Sequence, residues 1–220
     1  MATSGTTSFE LDIATVIEEA FEMAGIEMRS GYQFRTARRS LDMLMIEWAN
    51  RGYNLWLIDS STFSCVAGTV SYNLDTDVVD VIEAVVVEDD QETLLRRIPA
   101  AEYMRISNKT SEGKPSMIWV NRQLSRPVAY LWQVPDSTYT VKYWHIRRIQ
   151  DSGGADFTPD VPWRFVPALV AGLAHKLAVK EPESADRVDM LAMEYEKQFN
   201  LAADEDRERT SFYVRPAIRR

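Results

Sequence analysis

The chain has 220 residues, enough to bury a core without disulfides or metals, because domains above about 150 residues hide roughly 70% of their unfolded surface. Its net charge is −8, with 33 acidic and 25 basic residues, which argues against general binding to nucleic-acid phosphates. The single cysteine, Cys65, excludes an intramolecular disulfide and is typical of a reducing cytoplasm. No run approaches the ~18 apolar residues that a membrane span requires, so no membrane association is expected.

Two amphipathic helices are predicted near the N-terminus. Apolar residues recur at helical spacing over residues 11–25, where Asp12 is placed to cap the helix and Gly25 to end it. The same spacing returns over residues 33–50 and ends at Gly52. Because the connection is short, we expect the two helices to pack as an antiparallel hairpin.

The middle of the chain changes from helical to alternating periodicity, which indicates strands. Asp89 and Asp90 are typical turn residues between two of them, and a short helical turn is expected over residues 100–106. Extended segments are predicted at residues 55–57, 63–67, 70–72, 78–87, 94–98, 117–121, 128–132 and 139–146. We therefore expect an all-β domain, closed as a barrel or packed as a sandwich.

Helical periodicity returns in the last third of the chain. One helix is predicted from near Pro162 to Lys180, with Asp160 as its candidate cap, and a longer one over residues 188–202. Folding these helices onto the first two would give a four-helix bundle with the β domain inserted. The predicted class is α+β, and its domains are an N-terminal hairpin (1–54), the β insert (55–150), the C-terminal helices (151–209) and an extended arm (210–220).

The predicted arm is positively charged, whereas the segment that precedes it is acidic. Residues 210–220 contain no acidic side chain and combine cations with apolar anchors. Proline and the lack of a helical period favour an extended segment that gains structure by docking on a partner.

Residues of the kinds that carry chemistry are few. His145 and His175 lack a second ligand at metal spacing, and Cys65 lacks the flanking motif of a cysteine nucleophile. No glycine-rich loop joins a strand to a helix, so nucleotide-binding fingerprints are absent. We therefore expect no enzyme activity, no cofactor and no metal.

Three arginines on the second helix form the strongest cationic group before the arm. Arg35, Arg38 and Arg39 could contact phosphate, although pairing with acidic side chains of a neighbouring helix or subunit is the more common use. Inter-subunit or partner contacts are the interpretation we favour.

The order of elements, together with several short segments, resembles the head-to-tail adaptor of podophages, the family called tail tubular protein A or head completion protein. The layout matches over nearly the whole chain. The segments that carry the resemblance are ARRSL at 37–41, EWANRG at 47–52, GTVSYNL at 68–74, VPWRF at 161–165 and DRER at 206–209.

This resemblance implies a structural virion protein. Its members form a ring, usually dodecameric, below the portal protein, and the ring meets a tail nozzle (tail tubular protein B-like) while double-stranded DNA passes without specific binding. The location implied is the neck or tail of the virion, after assembly in the host cytoplasm. A C-terminal extension that grips the portal would here comprise Phe212, Tyr213, Arg215, Pro216, Ile218, Arg219 and Arg220.

Two other functions remain open at this point. A DNA-contacting packaging or assembly accessory protein would use the three arginines and the arm, although the acidic balance speaks against it. A hydrolase based on Cys65 or His145 would need a base, an orienting group and an oxyanion site, and the sequence shows none of these.

Overall fold

A computed structural model describes residues 5, 9, 11–52 and 55–206. Within these residues the fold is α+β, as predicted, with five α-helices and a curled seven-stranded sheet. The chain divides into two compact units. The helical unit comprises Met1–Leu55 and Gln150–Arg220, and the strand unit comprises Trp56–Ile149.

The first helix, α1, spans Ile13–Ala24 and has the predicted ends. The Asp12 side chain accepts a hydrogen bond from the backbone N–H of Thr15 at 2.7 Å. This contact satisfies one of the donors that a helix start leaves unpaired. Gly25 ends the helix with a φ of 70°, a left-handed conformation that glycine adopts without strain.

The second helix, α2, spans Gly31–Arg51 and starts two residues before the predicted position. The reason is a capping box: Ser30 accepts from the backbone of Gln33, whose side chain accepts in return from the Ser30 backbone. Gly52 ends the helix in the left-handed conformation, as predicted.

The predicted cap of the next long helix is wrong. Asp160 instead accepts a hydrogen bond from the backbone of Gln150, at 3.0 Å. A 3₁₀ turn at Trp163–Phe165 follows, and α4 spans Val166–Ala178 without a side-chain cap. The proline tolerated in the first turn is Pro167, which lies one residue inside the helix.

The last helix, α5, spans Val188–Glu205 and follows a 3₁₀ turn at Pro182–Arg187. Helix α4 is central in the helical unit, because α1, α2 and α5 all pack against it. Helix α1 packs mainly on α4 and only slightly on α2. Nine of the residues of α4 are accordingly buried, including Leu169, Leu173 and Leu177.

The strand unit is a single sheet with strand order β1-β7-β3-β4-β5-β6-β2. Residues 55–57, predicted as extended, form a 3₁₀ turn instead, and the first strand begins at Ile58. The strands are β1 (Ile58–Ser64), β2 (Ser71–Asn73), β3 (Val78–Glu88), β4 (Gln91–Arg97), β5 (Met117–Asn121), β6 (Val128–Trp132) and β7 (Thr140–Arg147).

Two connections determine the shape of the sheet. Asp89 and Asp90 form the predicted turn between β3 and β4, with φ values of 48° and 61° that are typical of a tight hairpin. Strands β4 and β5 run parallel, so the connection between them must cross over, and it contains the short helix α3 (Ala100–Arg105). The predicted helical turn at 100–106 is thereby confirmed.

The sheet curls around its own apolar core. Alternate residues of β5, β6 and β7 point inward and are buried, in agreement with the predicted alternation. The edge strands β1 and β2 come together through the rings of Phe63 and Tyr72, which stack with centroids 4.9 Å apart. Tyr72 also stabilises the turn that precedes β2, since its hydroxyl hydrogen-bonds to the carbonyl oxygens of Val66 and Thr69.

Helices pack closely at Gly172 of α4. A Cβ atom there would lie 2.9 Å from Leu44 Cδ2 and 2.9 Å from Tyr195 Cε2, and both of these side chains are buried. Alanine usually stabilises a helix interior relative to glycine by about 1 kcal/mol. Overpacking a dense core costs typically 1–3 kcal/mol.

We therefore expect Gly172→Ala to lower the free energy of unfolding by about 1–2 kcal/mol, measured by urea denaturation. Gly31→Ala is the matched control, because a Cβ atom at Gly31 meets open space, and it should be neutral or slightly stabilising. Stabilisation of similar size by both substitutions would show that the α2–α4–α5 contact is loose.

Candidate partner-binding site

The arginines predicted to contact a partner lie on the N-terminal half of α2, and the structure separates them. Arg38 is half-buried, and its Nη1 donates to the carbonyl oxygen of Gly153 at 2.7 Å. Arg35 and Arg39 are exposed, and Arg39 donates to the Thr36 hydroxyl at 3.3 Å. Arg38 is thus used inside the helical unit, whereas Arg35 and Arg39 form no ion pair with any described residue.

A further cation, Lys180, lies beside these arginines just beyond the end of α4. Its ammonium donates to the Ser40 hydroxyl. Partial burial lowers the pKa of Lys180, and the charges of Arg39 and Lys176 lower it further. Sequence reasoning missed Lys180, because it is 141 positions from Arg39 and only the packing of α2 on α4 brings the two together.

Exposed apolar side chains accompany these cations along α2. Tyr32, Met43 and Ile46 are 66%, 63% and 58% exposed. Together with Arg35 and Arg39 they recur at the spacing of one helix face. We call this surface the basic face, and its members are Tyr32, Arg35, Arg39, Met43, Ile46 and Lys180.

A polar network anchored on Glu47 holds the C-terminal half of α2 in place. The Glu47 carboxylate accepts from Lys176 at 2.8 Å, from Arg51 at 2.8 Å and from the Tyr195 hydroxyl at 3.1 Å. Burial raises the pKa of Glu47, but these donors outweigh it and hold the pKa below its usual value. Arg51 also pairs with Glu196 of α5 at 2.9 Å. The network therefore joins α2, α4 and α5.

Trp48 lies directly beneath this network. Its side chain is fully buried, and its ring is 5.5 Å from both Phe165 and Phe199. Its indole N–H donates to the Tyr195 hydroxyl at 2.9 Å. The segment EWANRG at 47–52 thus supplies both the polar network and the largest core side chain of the helical unit.

The segment VPWRF at 161–165 divides its side chains between core and surface. Phe165 is buried, whereas Trp163 is 64% exposed and lies 5.9 Å from the ring of Phe9. Trp163 and Phe9 line an apolar cleft of about 300 Å³ with Leu11, Val166 and Pro167. This cleft is a second exposed apolar feature of the helical unit.

The neighbouring Arg164 fixes the end of α5. Its guanidinium pairs with the carboxylate of Asp206, whose side chain is only 1% exposed. Asp206 is also the last residue of the chain that the structure describes. The residues predicted to bind the portal lie outside the described residues; they are Phe212, Tyr213, Arg215, Pro216, Ile218, Arg219 and Arg220.

Cys65 and His145 are packed as core groups, and His175 of α4 is half-buried. Cys65 is buried, and burial raises the pKa of its thiol to about 11. His145 is 2% exposed, and its Nδ1 has no hydrogen-bond partner among the described residues. In that same part, no group of His, Cys, Asp or Glu side chains could hold a metal ion. None of its helices has the length and apolar character needed to span a membrane.

The raised pKa of Cys65 leads to a direct test. Raising a thiol pKa from about 9 to about 11 lowers the thiolate population roughly 100-fold near neutral pH, and burial restricts access further. We expect Cys65 to react with a thiol reagent such as DTNB only after the protein unfolds in urea. Full labelling of the native protein within minutes would contradict this placement of Cys65.

Comparison with known families decides the class of protein. The family model described as SU10 adaptor protein matches residues 26–220, which is most of the chain. The chain belongs to the SU10 adaptor protein family. A search of curated proteins finds no match.

The SU10 adaptor family agrees with the predicted phage head-to-tail adaptor. Membership makes this chain a phage structural adaptor and a virion component that interacts with other phage structural proteins. Such adaptors are generally not enzymes, which agrees with the buried state of Cys65 and His145.

Proposed function

We propose that this SU10 adaptor forms a ring, dodecameric as in the podophage adaptors that it resembles, and joins the portal to the tail nozzle. The observation that carries the proposal is the family match over residues 26–220, which covers the strand unit, the helical unit after α1, and the C-terminal segment. The protein then works by matching symmetries: one surface copies the portal, and another presents sites to the nozzle. It assembles in the host cytoplasm and remains in the neck of the virion.

In this proposal the helical unit is a four-helix bundle that forms the body of the ring. Support comes from the packing of α1, α2 and α5 on α4 and from the Glu47 network, which links three of these helices. The strand unit contacts neighbouring copies or the nozzle. A rigid helical body suits a ring that must keep its diameter while DNA passes.

The C-terminal arm is the proposed portal-binding element. It provides Arg215, Arg219 and Arg220 without acidic residues, in a chain whose net charge is −8. Apolar anchors at Phe212 and Tyr213 accompany these cations. Many arms acting together strengthen portal binding through multivalency, even when each one binds weakly.

The acidic balance supports a passive route for double-stranded DNA. Like charges repel, so a negatively charged lumen lets DNA slide without sticking. The second candidate, a DNA-contacting packaging accessory, is favoured by one observation: Arg35 and Arg39 are exposed without an ion pair among the described residues. Direct DNA binding therefore needs to be measured beside portal binding.

Cosedimentation with portal rings tests the proposal. We expect the full chain to sediment with the portal and a chain ending at Arg209 to stay in the supernatant. Replacing the three arm arginines with lysine should retain more binding than replacing them with alanine, because lysine keeps the charge. If neither the full chain nor the truncated chain binds portal while duplex DNA is retained at low salt, the adaptor proposal is wrong and the DNA-contacting function replaces it.

A further inference from the structure

A second charged surface lies at the start of α5. Glu183, Asp186 and Asp189 are exposed and form no ion pair with any described residue. Met190 and Met193, which are 58% and 74% exposed, lie next to them on the helix. We call these five residues the acidic face. Its composition is the counterpart of the basic face, with anions where the latter has cations and with flexible apolar side chains in both.

The two faces are not paired with one another inside the chain. Arg35, Arg39 and Lys180 have no acidic partner among the described residues, although the protein carries an excess of acids. Lys180 is instead held beside two other cations, Arg39 and Lys176. Lys176 is paired with Glu47, but Arg35, Arg39 and Lys180 are uncompensated, and such a cationic cluster in an acidic protein is stabilised when an anionic surface is brought to it.

We propose that the basic face of one copy binds the acidic face of the next copy and that this contact closes the ring. The inference rests on the proposed ring and identifies the surfaces that build it. The faces lie on different helices, α2 and α5, whose buried sides both pack on α4, so one copy can engage two neighbours at once. Contacts between two different faces are head-to-tail, and they generate rings when the rotation closes.

A protein partner fits the basic face better than DNA does. Tyr32, Met43 and Ile46 expose apolar area before and after the two arginines along α2, and phosphates offer nothing to bury it. The acidic face presents Met190 and Met193, whose flexible side chains adapt to an opposing apolar surface. Charge selects the pairing, and apolar contact adds to its affinity.

Charge reversal tests the pairing. The first variant carries Arg35→Glu and Arg39→Glu, and the second carries Asp186→Lys and Asp189→Lys, all at exposed positions. Each variant alone then presents two faces of like charge, so we expect the number of copies retained per portal ring to fall at least tenfold. An equal mixture should restore assembly, because each variant's reversed face then meets an opposite charge. Unchanged unfolding midpoints in urea confirm that both variants fold.

Chemical cross-linking reports on the same contact with and without the portal. A chain with Met43→Cys is mixed with a chain with Met193→Cys, and a flexible bismaleimide is added. We expect a covalent dimer, whereas Met104→Cys, at a similarly exposed site of the strand unit, should give none with Met193→Cys. The native Cys65 is present in every chain, so its background is common to all mixtures.

The outcomes separate this inference from the proposed function. If the cross-link forms but the full chain does not bind portal rings when they are present, the pairing is supported and the portal-adaptor proposal is wrong. Normal assembly of both charge-reversed variants, or no cross-link in either condition, overturns the pairing and leaves portal binding to stand on its own test. If reversal of Arg35 and Arg39 abolishes retention of duplex DNA at low salt but leaves cross-linking unchanged, the basic face binds nucleic acid and the inference is wrong.

Discussion

Replacing Trp48 with alanine should lower the free energy of unfolding by about 3–5 kcal/mol, the largest effect that we expect from a single substitution in this protein. The ring of Trp48 is fully buried between Phe165 and Phe199, at 5.5 Å from each. Its removal leaves a cavity where α2, α4 and α5 meet. The substitution also removes the indole N–H that donates to the Tyr195 hydroxyl, and this loss adds to the cost of lost packing.

Urea denaturation of the full chain measures this loss. Trp163→Ala is the matched control, since Trp163 is 64% exposed and the same substitution there should change the free energy of unfolding by no more than about 0.5 kcal/mol. Comparable losses for Trp48→Ala and Trp163→Ala would contradict the assignment of Trp48 to the core.

Replacing Asp206 with alanine should cost about 3 kcal/mol of unfolding free energy. The Asp206 side chain is 1% exposed, and its carboxylate pairs with the guanidinium of Arg164. Removing one member of a buried ion pair leaves the other charge without compensation, and this penalty is larger than the net value of the pair. Arg164 keeps 28% of its side chain exposed, which allows part of its charge to reach water and moderates the cost.

A double-mutant cycle separates the pair from the packing around it. We expect the chain with both Asp206→Ala and Arg164→Ala to be more stable than the sum of the two single losses implies, because the double substitution leaves no unpaired charge. Additive losses in urea denaturation would show that the two side chains do not interact.

The parts of the fold that were predicted correctly are those that local chemistry determines. Asp12 and Gly25 mark the ends of α1 because a side-chain cap and a left-handed residue each act within one helical turn. Strands β5 and β6 have the predicted bounds, since alternation is unbroken between their flanking turns. The prediction that Asp160 caps α4 was wrong, although aspartate is a common cap. Prolines and a 3₁₀ turn follow Asp160, so α4 begins only at Val166.

The arrangement of the proposed binding surfaces depends on tertiary contacts that no local pattern contains. Arg38 belongs to the same cationic triplet as Arg35 and Arg39, and only the approach of Gly153 distinguishes it. Lys180 joins the basic face because α2 packs on α4. The network at Glu47 likewise depends on Lys176 of α4 and Tyr195 of α5, which are distant from it in the sequence.

The segments that resemble podophage adaptors have mainly structural roles in this chain. EWANRG at 47–52 links three helices, and Arg164 of VPWRF pairs with Asp206, the first residue of the DRER segment. These contacts hold the helical unit together and fix the point from which the C-terminal segment continues. We propose that partner binding uses other residues instead, namely the exposed residues of the basic face and the arm at 210–220.

Electron cryomicroscopy of portal rings mixed with the full chain tests the proposed adaptor function most directly. We expect an added layer of this protein on the portal, with helical units side by side and the basic face of α2 in one copy against the acidic face at the start of α5 in the next. Portal rings that remain bare at saturating concentrations of the folded protein would contradict it.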